Sequence, residues 1–95
     1  MSNLDGAVKA LNDKMAGESF DGTAKFVIEG EGSIMVDEAG ARAGDGDADV
    51  TMTADEATFR EMMEGDLNPT AAFMSGRLSI DGDMGKAMQL GAILS

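Results

Sequence analysis

The stretch Gly65–Leu90, GDLNPTAAFMSGRLSIDGDMGKAMQL, carries a helix, a strand and a second helix in close succession. Gly65 is a natural stop for whatever helix precedes it. Asn68-Pro69 then reads as a cap followed by a first-turn proline, whose missing N–H costs nothing at that position. The short helix that follows carries Ala72 and Phe73 and stops at Gly76. Arg77 to Gly82 alternates, with Leu78 and Ile80 on the inward face, the period of a strand with one buried side. Asp83 is placed to cap a final helix from Met84 to about Leu94. That helix is apolar on most sides, through Met84, Ala87, Met88, Leu90, Ala92, Ile93 and Leu94.

Upstream, Thr53-Ala54-Asp55-Glu56 has the spacing of a capping box, so a helix is expected to start there, with Phe59, Met62 and Met63 at helical spacing. Before it lie four strand-like segments. Thr23 to Gly30 alternates with Ala24, Phe26 and Ile28 inward. Ser33 to Asp37 places Ile34 and Val36 on one face and Met35 on the other. Ala41 to Gly44 is short and weak, and Ala48 to Thr53 turns Val50 and Met52 to one side. Short turns rich in Gly and Asp separate them, at Gly30-Glu31-Gly32, Glu38-Ala39-Gly40 and Asp45-Gly46-Asp47, and predict antiparallel hairpins. At the start of the chain, Leu4, Val8, Leu11 and Met15 form one stripe of a helix, with Asn3 as its cap and Gly17 as its end. The order is helix, four strands, two helices, strand, helix, which predicts an α+β fold: a sheet covered on one face by helices. The span Thr53–Gly76 is long enough for a crossover, so the last strand is expected to pair in parallel with a neighbour.

At 95 residues the chain is read as a single domain over 1–95. It contains no cysteine and no histidine. Disulfides, thiolate metal sites and imidazole acid–base catalysis are therefore excluded. Met1–Ala10 shows no basic run leading into an apolar one, and no stretch approaches the ~18 apolar residues of a membrane span. Ile93-Leu94-Ser95 is not a peroxisomal signal of the Ser-Lys-Leu type. A cytoplasmic protein is expected. The net charge of −11, from 18 acidic and 7 basic side chains, repels nucleic acid phosphates and anionic lipid headgroups. No nucleic acid partner is expected, and membrane contact is expected to be transient or with neutral lipid. Nine methionines against four aromatic residues suit either a gap-filled core or a surface that adapts to varied apolar ligands.

The spaced elements of Gly65–Leu90 closely resemble the hallmark of the sterol carrier protein 2 family: a helix ending in Gly, an Asn-Pro start, a Phe, a Gly-Arg-Leu strand, then Gly-Asp-Met-Gly and a helix. ADVTMTADEATF at Ala48–Phe59 is similar to the family's strand and helix start, and FDGTAKFVI at Phe20–Ile28 to its first strand. The resemblance implies a five-stranded, mostly antiparallel sheet covered on one face by helices, enclosing an apolar tunnel. It also implies non-enzymatic binding, and intracellular transfer, of a lipid: a sterol, a fatty acid or a fatty acyl-coenzyme A ester. No cofactor is implied. The alternative is a protein-interaction or dimerisation module that keeps the fold without a ligand. A monomer or weak dimer is expected.

On that reading the floor of the lipid site is formed by Phe26, Ile28, Ile34, Met52, Leu78 and Ile80, joined by Val36 and Val50. Its lid is formed by Phe59, Met62, Met63, Phe73, Met74, Met84, Met88 and Leu94. Each of these residues has a plain core reading as well. Asp45, Asp47, Asp49 and Glu56 imitate a calcium loop, but the sixth position, which needs glycine for its sharp turn, is Val50. No serine or threonine has a histidine or an evident lysine base beside it, so no catalytic residue is assigned.

Overall fold

The computed structural model describes residues 3–16, 18 and 20–94. Gly17, read above as a helix end, and the Asn3 side chain, read as its cap, lie outside the described residues, as does Ser95. The elements run α1 (Asn3–Met15), β1 (Ala24–Glu29), β2 (Gly32–Asp37), β3 (Gly40–Ala43), β4 (Val50–Asp55), α2 (Glu56–Glu64), α3 (Pro69–Met74), β5 (Leu78–Gly82) and α4 (Met84–Leu94).

The period-two pattern of the strands becomes one buried sheet face. Ala24, Phe26 and Ile28 of β1 lie beside Val50, Met52 and Ala54 of β4 and opposite Val36, Ile34 and Gly32 of β2. The apolar members of that set are 2% exposed or less. The helices cover this face, with α1 against β2 and β3, α2 against β1 and β4, and α4 against β4 and β5. Phe26 and Phe59 meet edge to face, with centroids 5.5 Å apart and planes at 77°. Such a pair adds about 0.5–1.5 kcal/mol beyond its buried area.

The sheet order is β3-β2-β1-β4-β5. Two pairings differ from the expectation. β4 does not form a hairpin with β3: it lies parallel to β1, while the last strand, β5, pairs antiparallel with β4. The Asp45-Gly46-Asp47 segment is accordingly not a hairpin turn. Residues 44–49 cross the sheet face remote from the helices. Gly44 N donates to Ser33 O (3.1 Å), Lys25 Nζ holds Asp45 Oδ1 (2.9 Å), and Asp49 N reaches Thr23 O (2.9 Å). Met35 points to that outer face and is nevertheless only 7% exposed, because Gly44 and Gly46 pass over it. A Cβ on those glycines would stand 3.7 and 4.0 Å from its side chain.

The start of α2 also shifts. Ala54 is still in the sheet, registered between Ile28 and Leu78, so β4 consumes Thr53, the expected cap. Asp55 caps the helix instead, its Oδ1 accepting from Thr58 N at 2.7 Å. The other punctuation is as read from the sequence. Gly65 closes α2 at φ 84°. Asn68 Oδ1 accepts from Thr70 N at 2.7 Å with Pro69 in the first turn. Asp83 Oδ1 accepts from Lys86 N at 3.2 Å.

Candidate functional site

The short helix α3 and the final helix α4 both pack against β5 and against each other, and a groove lies between them. It encloses about 250 Å³ and is lined by Met52, Pro69, Thr70, Phe73, Met74, Leu78, Ile80, Met84, Ala87, Met88 and Gly91. The α4 wall follows helical spacing: positions 84, 87, 88 and 91 fall on one side. Gly91 contributes by lacking a side chain; a Cβ there would touch Pro69 Cβ at 3.7 Å. Met52 and Leu78 form a closed floor, 1% and 2% exposed. The rim is different. Phe73 is 40% exposed, Met74 81%, Met84 44% and Met88 68%, and among the described residues these are the large apolar side chains left to solvent.

The expected lining residues separate into three groups. Met52, Phe73, Met74, Leu78, Ile80, Met84 and Met88 meet in this groove. Ile28, Phe59 and Met63 line another, of about 230 Å³, between α1, α2 and the end of β1, together with Gly6, Ala7, Ala10, Glu31, Glu56 and Arg60. Phe26, Ile34, Met62 and Leu94 line neither and are at most 1% exposed, within the packed core. Phe26 contacts Phe59, which lines the second groove, and is registered beside Met52, which lines the first. Pro69, Thr70, Ala87 and Gly91 were not anticipated. Selection by apolar bulk passes over them, although the i, i+3, i+4, i+7 pattern from Met84 points to Ala87 and Gly91.

The scaffold of the groove is held from behind. Arg77, the residue before β5, donates from Nε to Thr58 Oγ1 (3.2 Å) and pairs with Glu61 of α2. The Glu61 carboxylate raises the Arg77 pKa, and hydrogen bonds from Thr58 hold the Asp55 carboxyl below its ordinary value. Thr58 itself is buried. None of these charges lines the groove, whose single polar side chain is Thr70. Among the described residues no acidic group cluster could hold a metal ion, and no helix is long and apolar enough to cross a membrane.

The chain is similar to the hydroxysteroid dehydrogenase-like protein 2 of Xenopus tropicalis, with 38% identity over 96 residues, covering 93% of this chain and 23% of that protein. It thus spans about a quarter of that relative's length. The fold is similar to the crystal structure of sterol carrier protein 2 like 2 from Aedes aegypti, with TM-score 0.79 and 17% identity over 94% of each chain. It is also similar to the solution structure of Aedes aegypti sterol carrier protein 2 in complex with palmitate, with TM-score 0.77 and 16% identity, covering 96% of this chain and 93% of that one. At these identities the likeness to the solved structures is one of fold. The description "SCP-2 sterol transfer family" belongs to a family model that matches residues 3–95, and with the five-stranded sheet and its helical cover in place the chain belongs to that family.

Proposed function

We propose that this chain is a non-enzymatic lipid-binding domain that takes the apolar part of a sterol, fatty acid or acyl ester into the groove between α3, α4 and β5. One observation carries the reading: all four large apolar side chains exposed among the described residues, Phe73, Met74, Met84 and Met88, ring the same groove. Apolar side chains scattered singly on a surface need no explanation, but a contiguous set around a concavity marks a binding site. Flexible, polarizable methionines let such a rim close over chains of varied shape. The palmitate bound by the Aedes aegypti relative supports the ligand class, and the lack of histidine and cysteine supports binding without chemistry. The net charge of −11 supports membrane contacts that are brief or confined to uncharged lipid.

The test is displacement of a fluorescent fatty acid or sterol analogue from the purified chain. Displacement by at least one acyl lipid or sterol is expected; none at tens of micromolar defeats the reading. The same exposed rim favours one second reading, a dimerisation surface. A tight dimer in solution that binds no lipid would establish that reading in place of the first.

A further inference from the structure

Resting on the reading of this groove as a lipid site, we propose that it selects lipids with an uncharged head, such as a fatty alcohol or ester, over the carboxylate of the same chain length and over acyl-coenzyme A. The lining contains no charged side chain; its one polar side chain is Thr70, whose hydroxyl can both donate and accept. A hydroxyl or ester head can lie against it. A carboxylate there finds no cation on the lining to pair with, and drawing it deeper, towards the buried Met52 and Leu78, would strip its hydration without compensation.

The cations lie elsewhere. Lys9 pairs with Asp13, Lys25 with Asp45, Arg42 with Asp37, and Arg60 with Glu56. Arg77 is bound to Thr58 and Glu61. Lys86 is nearest in sequence to the rim but lies two positions from both Met84 and Met88, on the other side of α4. Its Nζ donates to Asp21 O at 2.9 Å. Lys14, the remaining cation, is in the last turn of α1, an element absent from the groove lining. The acid nearest in sequence to the rim is Asp83, exposed and adjoining the lining residue Met84, whereas Asp81 follows Ile80 in β5 and faces the other side of the sheet. With 18 acidic side chains against 7 basic ones, the field at the mouth repels an anionic head, and salt screens that repulsion.

The experiment uses the full chain and a matched ten-carbon set: decanol, methyl decanoate, decanoate and decanoyl-coenzyme A, each competing with one fluorescent probe at neutral pH in low and in high salt. Decanol and the methyl ester are expected to bind at least about tenfold more tightly than decanoate at low salt, with the coenzyme A ester weakest and the gap narrowing at high salt. Thr70→Lys places a cation on the lining at an exposed helix position, and is expected to shift preference towards decanoate. Decanoate binding as tightly as decanol at low salt in the unaltered chain overturns this proposal and leaves the lipid reading standing. Failure of all four to displace a probe that a sterol or a long-chain fatty acid does displace overturns this proposal alone; failure of those as well overturns both.

Discussion

Truncating Met88 to alanine separates a groove wall from a core filler, and Leu90, two residues along the same helix, is its control. Met88 is 68% exposed and Leu90 is 0% exposed. Fully burying a methionine stabilises a fold by about 1.5–3 kcal/mol. With roughly a third of its surface covered, Met88→Ala should cost about 0.5–1 kcal/mol on that scale. Leu90→Ala removes a fully packed side chain and leaves a void, so it should cost about 2–5 kcal/mol. Binding should invert this ranking. If a ligand covers the remaining two thirds of Met88, its loss removes up to about 1–2 kcal/mol of affinity, a Kd increase of about 5- to 30-fold. Urea unfolding measures the first quantity and probe displacement the second. A Met88→Ala variant that loses as much stability as Leu90→Ala, or that binds lipid unchanged, would refute the placement of Met88 on a ligand-facing rim.

Gly82→Ala should destabilise the fold by more than about 2 kcal/mol, because positive φ alone costs about 1–3 kcal/mol. The new Cβ would also stand 2.5 Å from Asp49 O and 3.0 Å from Val50 Cα, both backbone atoms. A change in unfolding free energy within about 0.5 kcal/mol, the range of an ordinary surface substitution, would count against that close approach. Met35→Ala tests the crossover of residues 44–49: a core-like loss of about 2–5 kcal/mol is expected, whereas a negligible loss would mean that nothing covers the outer face there. In acid, Asp37, Asp45 and Asp55 are held below their ordinary pKa, by Arg42, Lys25 and Thr58 respectively. Their folded values are depressed, so their contribution is fully present above about pH 3.9 and is lost as pH falls through the lower folded values. With no histidine in the chain, melting temperature should be nearly flat from about pH 5 to 8 and should fall below about pH 4. A steep change near neutrality would contradict this.

Side-chain alternation and helix punctuation were legible because both are local. A strand residue faces the side opposite its neighbours for steric reasons alone, so Phe26, Ile28, Ile34, Val36, Val50, Met52, Leu78 and Ile80 were all assigned to the covered face, where they lie. Gly65, Asn68-Pro69 and Asp83 each satisfy or end a helix through atoms within a few residues. The capping box at Thr53 failed because Ala54 is claimed by sheet partners far away in the chain, Ile28 and Leu78.

Strand order and the division of apolar residues into core and groove required the tertiary structure. A period of two is the same in a parallel and an antiparallel pair, so nothing in Val50–Thr53 distinguishes β3 from β1 as its neighbour. The choice is made by where residues 44–49 travel, pinned by Lys25 and Ser33 from other strands. Met35 is buried for the same reason, on a face its own strand pattern marks as exposed. Apolar character likewise says that Met62 and Met74 prefer to leave water, yet one is 0% and the other 81% exposed. Burial is a property of what the rest of the chain brings to a residue. Met62 receives the sheet and its helical cover, and Met74 stands at the edge of a groove that the chain leaves open.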